Sequence, residues 1–586
     1  MKRKGYLSLL VTIFLAISLV LSACGGGSSD DKVVKKEEAS KFPKTTTNNK
    51  KSIEDGSLTY GIVSDTPFAG TLNTTFYDGQ PDWEIIQWFD EPLLGMNKDY
   101  EIDNSGAATY KLSKDKKTIT IKIKKNVNWS DGKPVTAQDL EYKFLVIANK
   151  AYTGVRYDGT VQQIVGIQDY HAGKAKNISG IKILNDKEIS ITFKSATPTV
   201  LTGLNTTPLP KHYFKGVAIK DMAKSPQVRK APIGFGPFKV KKIIPGESVE
   251  LVRNDNYWRG KPKLKSVIIK VVSPKVVVSA LKKGEIDVAS VPADQYPDLK
   301  TGKNYQVLGS YDLAYNYIGF KLGKWDAKKG ENVMNPKSKM NNKNLRQAMG
   351  LAINFKEIGD KLYNGLYEPA NSLIPPSFPT WYDSSLPKAK QDVKKAKKLL
   401  DEAGYKDVND DGLREDPKGK KLTITFSSMS GSKVAEPLAN YYIQSWKKIG
   451  LNVKLLDGRL QEFNSFYDNI EKDSPKIDVY AAAWGTGTDV DPSGLYGRAA
   501  QFDMTRWTNS ENDKLLADGL SSKSFDKNYR KLVYKKWQEL MKEEAPVIPT
   551  FFRYQTYAVN KRVKDWTIDP FTEFYKVSVT SDTSVK

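Results

Sequence analysis

The segment Thr118–Phe144 reads TITIKIKKNVNWSDGKPVTAQDLEYKF and contains the signals of a strand, a turn and a helix. From Thr118 to Lys124, isoleucine alternates with polar residues, which predicts a β-strand with one buried face. The sequence Trp129-Ser130-Asp131-Gly132 is typical of a tight turn. Thr136 then stands at an expected helix N-cap, with Asp139 three residues later and apolar residues following at helical spacing. The segment therefore predicts strand, turn and helix in succession.

Strands and helices also alternate in the rest of the chain. Further strands are predicted at Lys187–Lys194 and Ser266–Val272, and amphipathic helices at Leu345–Asn364 and Asp392–Ala403. A glycine directly follows each of these two helices, and glycine is the residue type that most often ends a helix. Because the two kinds of element alternate without an internal repeat, the sequence predicts the α/β class.

Several segments occur in the order found in a known protein family. Besides Thr118–Phe144 they are PIGFGPFKV (Pro232–Val240), GESVELVRNDNYWRGKPKL (Gly246–Leu264), LKKGEIDVAS (Leu281–Ser290), NLRQAMGLAINFKEI (Asn344–Ile358), AKKLLDEAGY (Ala396–Tyr405) and WGTGTDVDPSGLYG (Trp484–Gly497). With these segments the chain resembles the extracytoplasmic solute-binding proteins of oligopeptide and dipeptide ABC importers, in their Gram-positive lipoprotein form. The resemblance covers essentially the whole chain after residue 52.

This resemblance implies a three-lobed α/β fold, similar to that of periplasmic binding proteins, with a ligand cleft between two large lobes. The first domain is expected to be discontinuous, and a smaller second domain is inserted into it. The expected ranges are residues 53–91, 231–321 and 549–586 for domain I, 92–230 for domain II and 322–548 for domain III. Ligand is expected to close the large lobes about connections near Lys321 and Pro549.

The N-terminal region predicts an exported, lipid-anchored protein. Basic residues precede an apolar run from Leu9 to Leu21, which is the order found in a secretory signal sequence. The only cysteine of the chain follows in LSAC (Leu21–Cys24), which resembles the lipobox of bacterial lipoproteins. We therefore expect a signal peptide at 1–23, lipid on Cys24 and a flexible linker over 24–52. An ordinary secretory leader or a retained membrane helix is the alternative.

The formal net charge of +24 is high enough to suggest nucleic-acid binding. The export signal argues against nucleic acid as a partner, and the lysines are scattered over many segments. Such a charge suits retention among the anionic polymers and lipids of a Gram-positive surface. We therefore expect a protein anchored to the outer face of the cytoplasmic membrane.

Catalytic and metal-binding motifs are missing from the sequence. It has two histidines, His171 and His212, and lacks the GxSxG, HExxH and Walker A patterns. The segment DVNDDGLREDPK (Asp407–Lys418) resembles a calcium loop, but Lys418 stands where the bidentate glutamate belongs, which favours an Asx-rich turn. We expect a binding protein without enzyme activity, cofactor or metal. Two carboxylates would suffice for an extracellular glycosidase, which is an alternative.

The aromatic content, with 30 Tyr, 22 Phe and 11 Trp, suits a site for either peptides or sugars. A sugar-binding lipoprotein is therefore another alternative. The family resemblance favours oligopeptides, delivered by a monomeric protein to ABC permease subunits that work with separate ATPase subunits. A peptide backbone can be held by strand addition. The segment Tyr311–Lys321 is a candidate for this role, with Tyr315, Asn316 and Tyr317 beside the cleft, and a core strand with buried tyrosines is an equally good interpretation.

The loop after Trp484 supplies the other candidate residues. The family resemblance implies that an aspartate in this loop pairs with the α-ammonium group of the ligand, and Asp489 and Asp491 both qualify. Asp491 precedes a proline, a pair that often shapes a turn. Asp489 follows a Gly-Thr-Gly-Thr run that begins at Gly485 and permits close backbone approach. We therefore assign Asp489 to the peptide N-terminus and Asp491 to the loop, with Trp484 and Gly485 as neighbouring contacts.

Overall fold

The structure is a computed structural model of the 586-residue chain, and it describes residues 42–568 and 570–586. The predicted signal peptide, Cys24 and the first part of the predicted linker lie outside these residues. None of the helices in the described ranges combines the length and the apolar character that a membrane span requires.

Strands and helices alternate along the described chain, as predicted. The strands are β1 (Ser57–Val63), β2 (Gly95–Met96), β3 (Ile102–Asp103), β4 (Ala108–Leu112), β5 (Thr118–Ile123), β6 (Ile181–Asn185), β7 (Glu188–Thr192), β8 (Phe238–Ile244), β9 (Ser248–Arg253), β10 (Ser266–Val272), β11 (Val288–Val291), β12 (Tyr305–Phe320), β13 (Gly323–Asp326), β14 (Glu331–Met334), β15 (Tyr367–Pro369), β16 (Ile424–Ser427), β17 (Val453–Leu455), β18 (Val479–Gly485), β19 (Val547–Asn560), β20 (Val563–Lys564) and β21 (Ser578–Val579). The α-helices are α1 (Gln80–Ile86), α2 (Ala137–Ile147), α3 (Ile167–His171), α4 (Thr199–Gly203), α5 (Pro226–Arg229), α6 (Val277–Lys283), α7 (Tyr296–Leu299), α8 (Lys343–Leu351), α9 (Phe355–Leu362), α10 (Val393–Glu402), α11 (Ala435–Lys447), α12 (Phe463–Glu471), α13 (Ser493–Tyr496), α14 (Ser510–Leu520) and α15 (Lys527–Glu544).

The strand–turn–helix unit forms where the sequence predicts it. The three isoleucines of β5 are buried, and the N–H of Gly132 donates to the carbonyl of Trp129 at 2.9 Å to close the turn. Gly132 has a φ of +90°, a conformation that glycine adopts without strain. Thr136 and Asp139 form a capping box at the start of α2, in which the Asp139 carboxylate accepts the Thr136 N–H at 2.9 Å.

The predicted single helix Leu345–Asn364 is wrong, because the structure has two helices there, α8 and α9. The chain leaves the helical path after α8, and the side chain of Asn354 accepts the N–H of Glu357 at 3.1 Å. An asparagine at this position caps a new helix. The apolar periodicity continues across the break because both helices bury a face in the same core.

A mixed sheet runs through the described chain in the order β17-β16-β18-β12-β19-β11-β1-β10-β9-β8, with β15 also paired to β19. Its long strands β12 and β19 are antiparallel neighbours, whereas β1 pairs in parallel with both β10 and β11. A separate antiparallel sheet has the order β4-β5-β7-β6.

Buried residues gather in distinct cores, from which we define three lobes. Lobe I is built around β1, β9 and β10, lobe II around β5, β7 and α2, and lobe III around β18, α11 and α15. Strands β12 and β19 contribute to the cores of lobes I and III. The register of their pairing shifts between Tyr311 and Tyr315, so the strands pass from one core to the other near this irregularity.

Residues 42–52, which the sequence analysis assigns to the linker, contact lobe I. The ring of Phe42 lies 5.7 Å from that of Tyr296 and 5.4 Å from that of Tyr554. The N–H of Thr46 donates to the carbonyl of Trp566 at 2.9 Å. This part of the predicted linker is therefore held in place by aromatic packing and backbone hydrogen bonds.

Candidate functional site

Strand β18 has one edge that is only partly covered. Along one side it pairs with β12 over its full length. On the other side the parallel strand β16 pairs only with Val479 and Tyr480, at the start of β18. The remaining stretch Ala481–Gly485 therefore has an edge without a strand partner among the residues that the structure describes.

The hydrogen-bond pattern shows which backbone groups face this open edge. Just beyond β18, the N–H of Thr486 donates to the carbonyl of Leu313 at 2.8 Å. In an antiparallel pair, residues bonded to the partner strand alternate with residues whose N–H and C=O point away. The backbone groups that point away from β12 are therefore those of Ala481, Ala483 and Gly485. They can bond an extended chain laid along this edge.

Asp489 lies shortly after β18 and is held by contacts from two lobes. Its carboxylate accepts the hydroxyl of Thr202 and, at 3.0 Å, the N–H of Asp491. Nη2 of Arg530 is 3.8 Å from its Oδ1, and the side chain remains 25% exposed. Because Thr202 belongs to α4 of lobe II, the carboxylate connects lobe II with lobe III. Its remaining exposure leaves access for a ligand cation.

Asp491 is engaged within its own loop. Its Oδ1 accepts the N–H of Ser493 at 3.3 Å, and its Oδ2 accepts the hydroxyl of the same serine. These bonds fix the turn that leads into α13. Burial, and in second place the negative charge of Asp489, raises the pKa of Asp491 to about 6. Of the two carboxylates, Asp489 is thus the one better placed to receive a cation from outside.

Arg530 is a site residue that the sequence analysis did not identify. Its guanidinium lies over the rings of Trp381 and Tyr534, 5.4 Å and 5.1 Å from their centroids, and donates to the Tyr534 hydroxyl at 2.9 Å. Its Nε is buried with no hydrogen-bond partner in the described part of the chain. The sequence does contain a signal for Arg530, because it stands four residues before Tyr534 and both lie on the buried face of α15. Thr202 had no comparable signal.

A second polar bridge joins lobes II and III. Nζ of Lys527 is 2.7 Å from Oε1 of Glu101, and both side chains are partly exposed. Burial raises the pKa of Glu101, but hydrogen bonds from Lys527 and Asn97 outweigh it, so the pKa lies below its usual value. Together with the Thr202–Asp489 contact, this pair places lobe II against the end of lobe III that carries the open edge.

A cavity of about 210 Å³ borders the same region. It lies beside the irregular part of β12, and its wall includes Leu313, whose carbonyl accepts the Thr486 N–H. Residues from lobe I, from the start of lobe II and from β12 line it, among them Tyr60, Tyr100, Tyr311, Asp312, Tyr557 and Phe571. One wall residue of the cavity is thus hydrogen-bonded to the residue that directly follows β18.

Comparisons with known proteins place the chain in a family. Residues 102–505 match the family profile described as bacterial extracellular solute-binding proteins, family 5 Middle. The chain belongs to this family. Among its relatives is the oligopeptide-binding protein OppA of Lactococcus lactis subsp. cremoris strain SK11, which is 40% identical over 488 residues covering 81% of each chain.

Solved structures confirm the fold of this family 5 solute-binding protein. Lactococcal OppA, complexed with an endogenous peptide in the closed conformation, matches with a TM-score of 0.79 and 37% identity, covering 89% of this chain and 100% of the other. AppA of Bacillus subtilis, in complex with a nonapeptide, matches with a TM-score of 0.70 and 25% identity, covering 91% and 100%. The predicted α/β fold of periplasmic binding proteins, with a ligand cleft between lobes, is confirmed.

The structure of this family 5 solute-binding protein places Tyr315 and Tyr317 in the core of lobe III. They are 1% and 2% exposed, and the Tyr315 hydroxyl is 2.9 Å from that of Tyr496. From Tyr315 to Gly319, strand β12 is paired on both edges, with β18 and with β19, so this stretch has no edge for strand addition. We therefore remove both tyrosines from the proposed site, in favour of the core-strand interpretation. Asn316 is half-buried, and its Oδ1 is buried without a hydrogen-bond partner among the described residues.

Trp484 and Gly485 end the open edge of β18. The ring of Trp484 is half-buried and meets the exposed ring of Phe502 edge-on at 6.1 Å. Gly485 is exposed, and a Cβ at this position would meet no atom within 4 Å. An extended ligand can therefore approach the backbone here without steric hindrance.

The acidic loop Asp407–Lys418 uses its side chains to bond its own backbone. The Asp407 carboxylate accepts the N–H groups of Asp411 at 3.2 Å and Gly412 at 2.8 Å, as in an Asx-rich turn. Over residues 42–568 and 570–586, no group of three or more His, Cys, Asp or Glu side chains is arranged to hold a metal ion.

Proposed function

We propose that this family 5 solute-binding protein captures extracellular oligopeptides and hands them to an ABC importer. The observation that carries the proposal is the open edge of β18 beside the partly exposed carboxylate of Asp489. Every peptide offers a row of backbone amides and, at one end, an α-ammonium group. A strand edge followed by a carboxylate complements both, whatever the side chains are.

Each site residue then has a defined role. The backbone of Ala481, Ala483 and Gly485 bonds the peptide backbone, and Asp489 receives the α-ammonium group. Trp484 lies at the Gly485 end of the strand edge, and Asp491 fixes the shape of the loop that follows. Because only invariant parts of the peptide are held directly, its side chains can be accommodated through bridging water molecules. The protein binds its ligand without converting it chemically.

Support for peptides over sugars comes from the relatives. The structure of lactococcal OppA contains an endogenous peptide, and that of Bacillus subtilis AppA contains a nonapeptide. An open strand edge also suits an amide backbone better than a sugar, because it presents donors and acceptors at the spacing of a neighbouring strand. We keep the domain ranges that the sequence analysis gives for domains I, II and III. When a peptide binds, lobes I and III close about strands β12 and β19.

Native mass spectrometry of the purified protein tests this function. We expect masses above that of the polypeptide which correspond to co-purified short peptides and disappear after unfolding and refolding. The stripped protein should then bind a mixed peptide pool. An oligosaccharide found in place of peptides would instead identify a sugar-binding protein.

We also propose that the protein is a monomer, anchored by lipid on Cys24, that docks onto permease subunits served by separate ATPase subunits. The support is the lipobox-like LSAC sequence behind an apolar run. Changing Cys24→Ala should abolish labelling by a fatty-acid probe, leave the chain uncleaved at Ala23 and make the protein less firmly retained at the membrane, because the acyl chains supply the anchor. Normal labelling of the variant would contradict the proposed anchor.

A further inference from the structure

Lobe II carries an open groove that the proposed peptide site does not use. Its volume is about 630 Å³, within the range typical of small-molecule sites. The groove lies between the turn before α2, α2 itself and the segment 211–217. Its apolar surface is formed by Pro134, Tyr142, Phe214 and Val217. None of its lining residues forms the open edge of β18 or contacts Asp489.

Three lysines line this groove with exposed side chains. The side chains of Lys133, Lys211 and Lys215 are exposed, and none of their ammonium groups forms an ion pair or hydrogen bond with any residue that the structure describes. The nearby His212 is already engaged by Asp131 at 2.7 Å. Apolar surface next to three exposed cations is suited to a molecule with an apolar body and a negative charge.

The carboxylate in the groove wall is hydrogen-bonded to groups of the protein itself. Asp139 is buried, and its oxygens accept the Trp129 indole N–H, the N–H and hydroxyl of Thr136 and the backbone N–H of Lys211. The exposed charged side chains that line the groove are therefore the three lysines.

We propose that this groove is a second ligand site, which takes small carboxylates bearing an apolar side chain, such as N-acylated apolar amino acids. The lysines attract the carboxylate, and the apolar surface takes the side chain. This site needs no α-ammonium group and no part of the cleft between lobes I and III. It is therefore independent of the proposed peptide function.

The probe for this site is N-acetyl-L-phenylalanine, titrated calorimetrically into the mature protein. We expect binding that is about tenfold weaker for the uncharged N-acetyl-L-phenylalaninamide, because the amide lacks the charge that the lysines attract. Prior saturation of the cleft with a free-amine peptide that ends in a C-terminal amide, and so lacks a carboxylate, should leave the affinity for the probe unchanged. Asp489→Asn should also leave it unchanged, so failure at one site is distinguishable from failure at the other.

Matched variants locate the site. The double change Lys211→Glu and Lys215→Glu should weaken binding of the probe about tenfold or more, since like charges then face the carboxylate. Lys220→Glu alters an exposed lysine outside the groove and should have no effect. If the double variant does not fold, Lys133→Glu gives the same test. Equal affinity of the wild type and the groove variants, displacement of the probe by the cleft peptide, or no binding at millimolar concentration would overturn the proposal.

Discussion

Replacing Asp287 by alanine should destabilise lobe I by about 3–5 kcal/mol, which is typical for removing one partner of a buried ion pair. Asp287 is 0% exposed and Arg562 is 4% exposed. Two parallel bonds join them, from Nε to Oδ1 at 2.8 Å and from Nη2 to Oδ2 at 2.7 Å. The alanine variant leaves a buried guanidinium without its counter-ion, and desolvation of that charge is the main cost.

The position of this pair in the sheet increases the expected effect. Asp287 directly precedes β11 and accepts the N–H of Thr59 in β1 at 2.8 Å. It also accepts the hydroxyl of Ser584 near the end of the chain at 2.7 Å. Arg562 lies two residues after the end of β19 and donates to the carbonyl of Ser57 at 2.9 Å. One ion pair thus ties together three neighbouring strands of lobe I and the C-terminal segment.

Urea unfolding, monitored by hydrogen exchange of the β1 and β11 amides, measures the loss of stability in lobe I separately from the other lobes. Asp401→Ala is the control, because its pair with Arg414 involves a carboxylate side chain that is 57% exposed and should contribute less than about 1 kcal/mol. Adding Arg562→Met to Asp287→Ala should restore part of the stability, since no unpaired charge then remains buried. Equal small losses for Asp287→Ala and Asp401→Ala would contradict the argument.

The parts of the fold that the sequence predicts are those fixed by neighbouring residues. The alternation in β5, the turn at Gly132 and the capping box of α2 all act within a few positions, and each forms as predicted. The break between α8 and α9 is local as well. The sequence nevertheless predicts one helix, because apolar residues recur at helical spacing on both sides of Asn354. This spacing hides the signal that Asn354 gives as the N-cap of a new helix.

The candidate site could be predicted only in part, because strand edges and lobe contacts depend on distant parts of the chain. The alternation around Tyr315 and Tyr317 suits a central strand as well as an edge strand, and only its pairing with β18 and β19 decides between them. Thr202 reaches Asp489 across 287 positions of sequence. No local pattern encodes such a contact, whereas the aspartates themselves stand in a short motif after Trp484 and could be singled out.

The change Asp489→Asn should weaken binding of peptides with a free N-terminus by about thirtyfold or more. Truncating one partner of a desolvated charge pair costs about 2–5 kcal/mol, and each 1.4 kcal/mol is about tenfold in affinity. Arg530 adds to the effect, because Nη2 lies 3.8 Å from Oδ1 of Asp489. Without the carboxylate charge, this guanidinium faces the ligand's ammonium group and repels it.

Asp491→Asn is the matched control for this change. Asparagine can still accept the N–H of Ser493, so the loop should keep its shape and peptides their affinity.

The free energy of unfolding of the wild-type protein should depend on pH through Asp491. Because the pKa of Asp491 is raised to about 6, the folded state binds its proton more tightly than the unfolded state, and stability falls as pH rises from about 4 to about 6. Asp491→Asn should remove this loss and be more stable than the wild type at pH 7.

Calorimetric titrations decide between the two aspartates. The wild type and both variants, stripped of bound peptide by unfolding and refolding, are titrated with one peptide in free and N-acetylated form. Acetylation removes the positive charge but leaves the backbone amides, so it isolates the contribution of the ammonium group from that of the β18 edge. The wild type and Asp491→Asn should prefer the free peptide strongly, whereas Asp489→Asn should bind both forms with similar affinity. If Asp489→Asn keeps the preference and Asp491→Asn loses it, the buried carboxylate is the ammonium partner and Asp489 serves the contact between lobes II and III.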